Sequence, residues 1–98
     1  MHVLTVCYGH PDDPAAFDAY YTSTHIPLSE KIPGMTSFTV RHCKPLGRKA
    51  PPYYLIAELG FPSAEALSAG LSSPEGQAAG ADVPNFATGG VTNFIAYD

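Results

Sequence analysis

Tyr53-Tyr54-Leu55-Ile56-Ala57-Glu58-Leu59-Gly60-Phe61 is the stretch on which the architecture turns. In an extended chain successive side chains alternate between the two faces of a sheet. Tyr53, Leu55, Ala57, Leu59 and Phe61 therefore share one face, while Tyr54, Ile56 and Glu58 share the other. Both faces are substantially apolar, so this strand needs a cover on each side. Ahead of it, Lys44 to Pro52 carries three prolines, a glycine and three basic residues and is expected to be an exposed hairpin connection. Before that connection, Met35 to Cys43 sets Phe38, Val40 and His42 against Ser37, Thr39, Arg41 and Cys43, which predicts the partner strand.

Outward from this hairpin, each end of the chain supplies one strand and one helical stretch. His2 to Tyr8 is rich in β-branched and aromatic residues and predicts a first strand. Asp13 can cap a helix whose first position is Pro14, because the amide hydrogen that proline lacks would go unpaired there anyway. Phe17, Tyr20, Tyr21, Thr24 and Leu28 then recur at helical spacing, and Pro27 is expected to terminate or kink the helix near Ile26. Lys31 to Gly34 is a turn. Beyond the central strand, Ser63 can cap a helix over Ala64 to Leu71, and Ser73-Pro74 can open a second short one reaching about Gly80. Ala81 to Gly90 is expected to be a loop and Val91 to Tyr97 the last strand.

The order is βαββαβ, which predicts one α+β domain over residues 1–98 with a four-stranded antiparallel sheet and its helices on one face. The other face needs its own cover. A second copy of the chain, pressed against it by the same face, would form a barrel-like sandwich, so a homodimer through the sheet face is expected.

Composition narrows the partners. Apolar residues make up 45% and charged residues 14% of the 98, the opposite of the pattern of intrinsic disorder. The formal charge is −4 and no basic cluster exists, which argues against nucleic acid or an anionic membrane. No apolar run is long enough to span a bilayer, and Met1 to Val6 does not resemble a secretory signal. Cys7 and Cys43 are expected to be reduced thiols in a cytoplasmic protein.

No phosphate-binding glycine pattern, zinc motif or nucleophile elbow is present, so no cofactor and no metal are expected. The segment Tyr20 to Leu28 is the richest in chemistry. Tyr21 and His25 stand at i and i+4 and share a helical face. His25 can shuttle a proton near neutral pH, or it can simply cap the last helical turn while Tyr21 fills space; both roles stand open at this point. His42 alternates with Phe38 and Val40 and is either a sheet residue or a pocket contact. Asp82 and Asn85 can make local turn bonds, though an acid near a helix end can also orient a histidine. Phe86 is a packing ring or a cover for an apolar pocket. His2 and His10 are expected at the surface, and Tyr8, Tyr54 and Tyr97 in packing roles.

Tyr20-Tyr21-x-x-x-His25-Ile26-Pro27-Leu28, followed by Ile32-Pro33-Gly34-Met35, resembles the amino-terminal signature of the EthD family. Phe61-x-Ser63-x-Glu65-Ala66-Leu67, Ser73-Pro74-Glu75-Gly76-Gln77 and Asp82-Val83-Pro84-Asn85-Phe86 resemble its second half, so the likeness covers nearly the whole chain. The resemblance implies a ferredoxin-like fold of the dimeric α+β barrel type. It also implies small-molecule catabolism or aromatic polyketide tailoring, since relatives include ether-degradation proteins that act beside an oxygenase, dehydratase-like enzymes and, more distantly, cofactor-free monooxygenases. Carried over by position, His25, Asp82, Asn85 and Phe86 match the family's motif residues. An enzyme of this kind would bind a small apolar or aromatic molecule between sheet and helices. His25 would then be the general acid or base, with Asp82 orienting it, Tyr21 donating a hydrogen bond, and His42, Asn85 and Phe86 contacting the ligand. The alternatives are a non-catalytic ligand-binding or accessory protein for a partner oxygenase, and a cofactor-free monooxygenase.

Overall fold

The computed structural model describes residues 1–98. Strands β1 (His2–Tyr8), β2 (Ser37–His42), β3 (Leu55–Phe61) and β4 (Val91–Tyr97) form one antiparallel sheet in the order β2-β3-β1-β4. This is the ferredoxin-like α+β arrangement. Helices α1 (Pro14–Tyr20) and α2 (Ile26–Glu30) bracket a wider π turn at Tyr21–His25. Helix α3 (Ala64–Ser72) precedes α4 (Pro74–Asp82), which runs into a single 3₁₀ turn at Val83–Asn85.

Register explains the two-sided chemistry of the sheet. Val6 lies opposite Ala57, Leu4 opposite Leu59 and Tyr8 opposite Leu55, and β2 adds Phe38 and Val40 to the same side. All of these join the core with Phe17, Tyr21, Leu67 and Phe86 from the helical layer. Directly opposed side chains point to one face, so the reverse face carries Val3, Thr5 and Cys7 beside Ile56, Glu58, Arg41 and Phe94. Val3, Ile56 and Phe94 take no part in the core, and Phe94 is half-exposed. Strand β4 is exposed along its length. No helix is long and apolar enough to cross a membrane.

The side-chain caps fall where the sequence placed them. Asp13 accepts the Ala16 amide, Ser63 that of Ala66, and Ser73 that of Gly76. Two expectations are corrected. Of the two outcomes expected at Pro27, ending the helix does not occur: after the π turn the helix continues to Glu30. Proline inside a helix removes a hydrogen bond and crowds the carbonyl one turn back, and the wide turn just before it opens that space. The segment after Gly80 is not all loop: α4 reaches Asp82, and Pro84 tightens the exit into a 3₁₀ turn.

The loops after β1 and before β4 cross at Gly9 and Gly89, with the Gly9 amide donating to the Gly90 carbonyl at 3.0 Å. A methyl group on Gly9 would overlap the Gly89 carbonyl, whereas one on Gly47 would meet nothing. Gly9→Ala is therefore expected to destabilise by about 1–3 kcal/mol, the usual cost of overpacking, and Gly47→Ala to leave stability unchanged. Urea denaturation of both variants checks this.

Candidate functional site

The π turn sets the site. The Ile26 amide reaches back to the Tyr21 carbonyl, five residues earlier, so the backbone bulges where Tyr21 and His25 face the sheet. Both side chains are buried. From the other half of the chain, the final turn of α4 delivers Asp82, which is only 8% exposed. His25 Nδ1 donates to Asp82 Oδ2 at 3.0 Å. The second carboxylate oxygen, Oδ1, accepts from the Tyr20 hydroxyl at 2.6 Å and from Asn85 Nδ2 at 3.0 Å. The Phe86 ring lies 4.6 Å from the imidazole and closes it off on one side.

Burial pushes the Asp82 carboxyl up, but the hydrogen bonds from Tyr20, His25 and Asn85 outweigh it and hold the group below the usual carboxylate range. Asp82 is therefore an anion that only accepts, which assigns the proton of a neutral His25 to Nδ1 and leaves Nε2 with a free lone pair. That lone pair faces the Tyr8 hydroxyl at 3.4 Å, a long and weak contact. Burial, reinforced by the neighbouring Tyr21 and by Asp82, holds the Tyr8 phenol far above its ordinary range, so it remains a donor. Burial likewise pushes Tyr21 up to about 12.

Nε2 opens on a cavity of about 100 Å³. Leu4, Val6, Ala57 and Leu59 form its floor on the sheet, and Ile32, Leu71, Ala79 and Val83 its roof and walls. Tyr8, Tyr21 and His25 make one end, and Gly80 of α4 and Asn93 of β4, both exposed to solvent, also line it.

The structure thus brings His25, Asp82, Asn85 and Phe86 together. Of these only His25 lines the cavity, and the other three support it from behind. Tyr21 lines the cavity too, but the bond to Asp82 comes from its neighbour Tyr20. His42 was expected at the pocket and is not there. Its Nε2 donates to Asp18 Oδ1 at 3.0 Å, its ring packs edge-on against Tyr54, and its side chain is 56% exposed. Sequence reasoning passed over Tyr8 and Tyr20 as site residues; the available signal for Tyr8 was a lone phenol ending an otherwise aliphatic inward row, Leu4 and Val6. No group of three or more His, Cys, Asp or Glu side chains is placed to hold a metal ion.

Residues 10–90 match the EthD domain. A Rhodococcus erythropolis protein, described as an uncharacterised 11.0 kDa protein in the thcB-thcC intergenic region, is 47% identical over 94% of this chain and 89% of its own length. Among solved structures, an ethyl tert-butyl ether (EthD) family protein of Bacillus halodurans superposes with a TM-score of 0.94 at 33% identity, covering 100% of this chain and 98% of that one. A dimeric ferredoxin-like protein of unknown function from Jannaschia superposes with a TM-score of 0.67 at 21% identity over 100% of both chains, a likeness of fold.

The Asp82 carboxylate gives the fold a defined acid limit. Its value is lowered on folding, so the stability it contributes is present above the unfolded carboxylate range, about 3.9, and is lost as pH falls through the lowered folded value. Asp82→Asn is expected to cost about 1–3 kcal/mol at pH 7, and its deficit against wild type to shrink toward acid. Melting curves from pH 7 down to pH 2 check this.

Proposed function

This chain belongs to the EthD family, and from that premise we propose that it binds a small, mainly apolar or aromatic molecule beside His25 and uses that histidine as a general acid or base. One observation carries the proposal: a buried imidazole is anchored through Nδ1 to a buried carboxylate while Nε2 faces an apolar cavity.

Nε2 takes a proton from the bound molecule, and the imidazolium that forms is stabilised by Asp82 at 3.0 Å. Tyr20 and Asn85 fix the carboxylate, so the ring does not have to reorient during transfer. The Tyr8 hydroxyl, kept neutral, donates to an oxygen on which negative charge develops. Taken from the carbon beside the one that bears the hydroxyl, that proton leaves its electron pair to form the C=C bond while the C–O bond breaks, and returning it to the departing hydroxide completes loss of water, the dehydratase-like outcome that this set of groups supports. The description of the Bacillus halodurans relative favours a setting in small-molecule catabolism.

His25→Gln preserves volume but removes the base. Turnover of hydroxylated aromatic substrates is expected to fall by about 10²–10⁴-fold while binding, followed by calorimetry, weakens by no more than about tenfold. Asp82→Asn should invert the tautomer, placing the proton on Nε2, which ¹⁵N shifts of the imidazole report directly. Saturable binding with no turnover in wild type would overturn the catalytic part and leave a binding or accessory protein, including one serving a partner oxygenase.

The reverse sheet face is proposed to pair with its counterpart in a second copy. Exposed Phe94 and half-buried Val3 and Ile56 support this, as does the dimeric state of the Jannaschia neighbour. Phe94→Glu would put a charge from each copy into that apolar interface. Light scattering after gel filtration is expected to show a dimer for wild type and a monomer for this variant.

A further inference from the structure

Resting on the ligand-binding proposal above, we infer that the chamber selects a compact hydroxyl compound of about one six-membered ring, and that Gly80 at its mouth sets the size limit.

The polar end dictates the functional group. Nε2 of His25 accepts and cannot donate while Nδ1 holds the proton for Asp82, and the Tyr8 hydroxyl donates. The two atoms face each other at 3.4 Å, too far for a good bond and close enough for one ligand atom to serve both by a small shift. An atom that gives a proton to Nε2 and accepts one from Tyr8 is a hydroxyl oxygen. An ether or carbonyl oxygen would satisfy Tyr8 and leave Nε2 buried without a partner.

The walls dictate size. An apolar cavity of about 150 Å³ holds benzene; this one is about 100 Å³ but opens at one end, where Gly80 and Asn93 reach solvent. By volume the chamber takes about one six-membered ring, and a second fused ring exceeds it.

Gly80 has no other reason to be glycine. It lies within α4, where glycine is unfavourable relative to alanine. It is not among the glycines with positive φ. A methyl group there would meet no atom within 4 Å, in contrast to Gly76, where one would strike the Gly70 and Leu71 carbonyls that pack α4 on α3. The fold explains Gly76, whereas Gly80 lines the cavity and has no packing reason of its own.

The test is calorimetric titration of phenol, cyclohexanol, anisole and 2-naphthol into wild type, Gly80→Ala and Gly80→Leu. Phenol and cyclohexanol are expected to bind wild type, anisole and 2-naphthol at least about tenfold more weakly. Gly80→Leu should weaken phenol by a similar factor and Gly80→Ala by less, with Gly80→Ala melting no lower than wild type. Anisole binding as tightly as phenol overturns the hydroxyl selection, and 2-naphthol doing so overturns the size limit. Unchanged phenol affinity in both folded variants overturns the role of Gly80. In each of those cases the ligand-binding proposal survives; failure of all four probes to bind wild type overturns both.

Discussion

The hydrogen bond from His25 Nδ1 to Asp82 Oδ2 is the contact around which the helical layer is arranged. It joins the rod that follows β1 to the end of α4, the second helix after β3, so each half of the βαββαβ order contributes one partner. An acid in the last turn of a helix faces the negative end of the backbone dipole and is disfavoured there. Burial adds to that cost. Three donors, from Tyr20, His25 and Asn85, offset both. Any loosening of one donor therefore affects the position of the imidazole as well as local stability.

The sheet below was legible because its signal is local. Alternation in β1, β2 and β3 assigns each side chain to a face, and the cap residues Asp13, Ser63 and Ser73 mark helix starts through bonds spanning three residues. The family resemblance added the ferredoxin-like topology, which the strand order β2-β3-β1-β4 bears out. Where the sequence misled, a longer-range term won. Pro27 argued for a helix end, yet the rod continues because Phe17, Tyr21, Ile26 and Leu28 all pack on the sheet core and hold both sides of the bulge in place.

The site was legible in its residue types and not in its wiring. Tyr20 and Tyr21 are adjacent and chemically identical, and only the phase of the helix decides which reaches Asp82 and which turns to the cavity. A π turn has no compositional mark, so that phase was not available beforehand. Strand alternation left His42 either a sheet residue or a pocket contact. Its actual partner, Asp18, sits on another element and comes near only once the helix lies across the sheet. Tyr8 followed the core pattern so well that its hydroxyl was easy to overlook.

Departures from good local practice gather around one point in this molecule. A proline lies within the helical rod, a π turn precedes it, an acid ends α4, a histidine is buried, and a glycine occupies a helix without a packing reason. Each carries a stability cost that a plain core at the same position would avoid. Elsewhere the caps, alternation and crossing glycines agree with one another. Local rules that fail together, within reach of one cavity, are the pattern expected of a functional site, which is the role proposed for this one. The sheet and its outer helices serve as the rigid frame that makes such a concentration of unfavourable choices affordable.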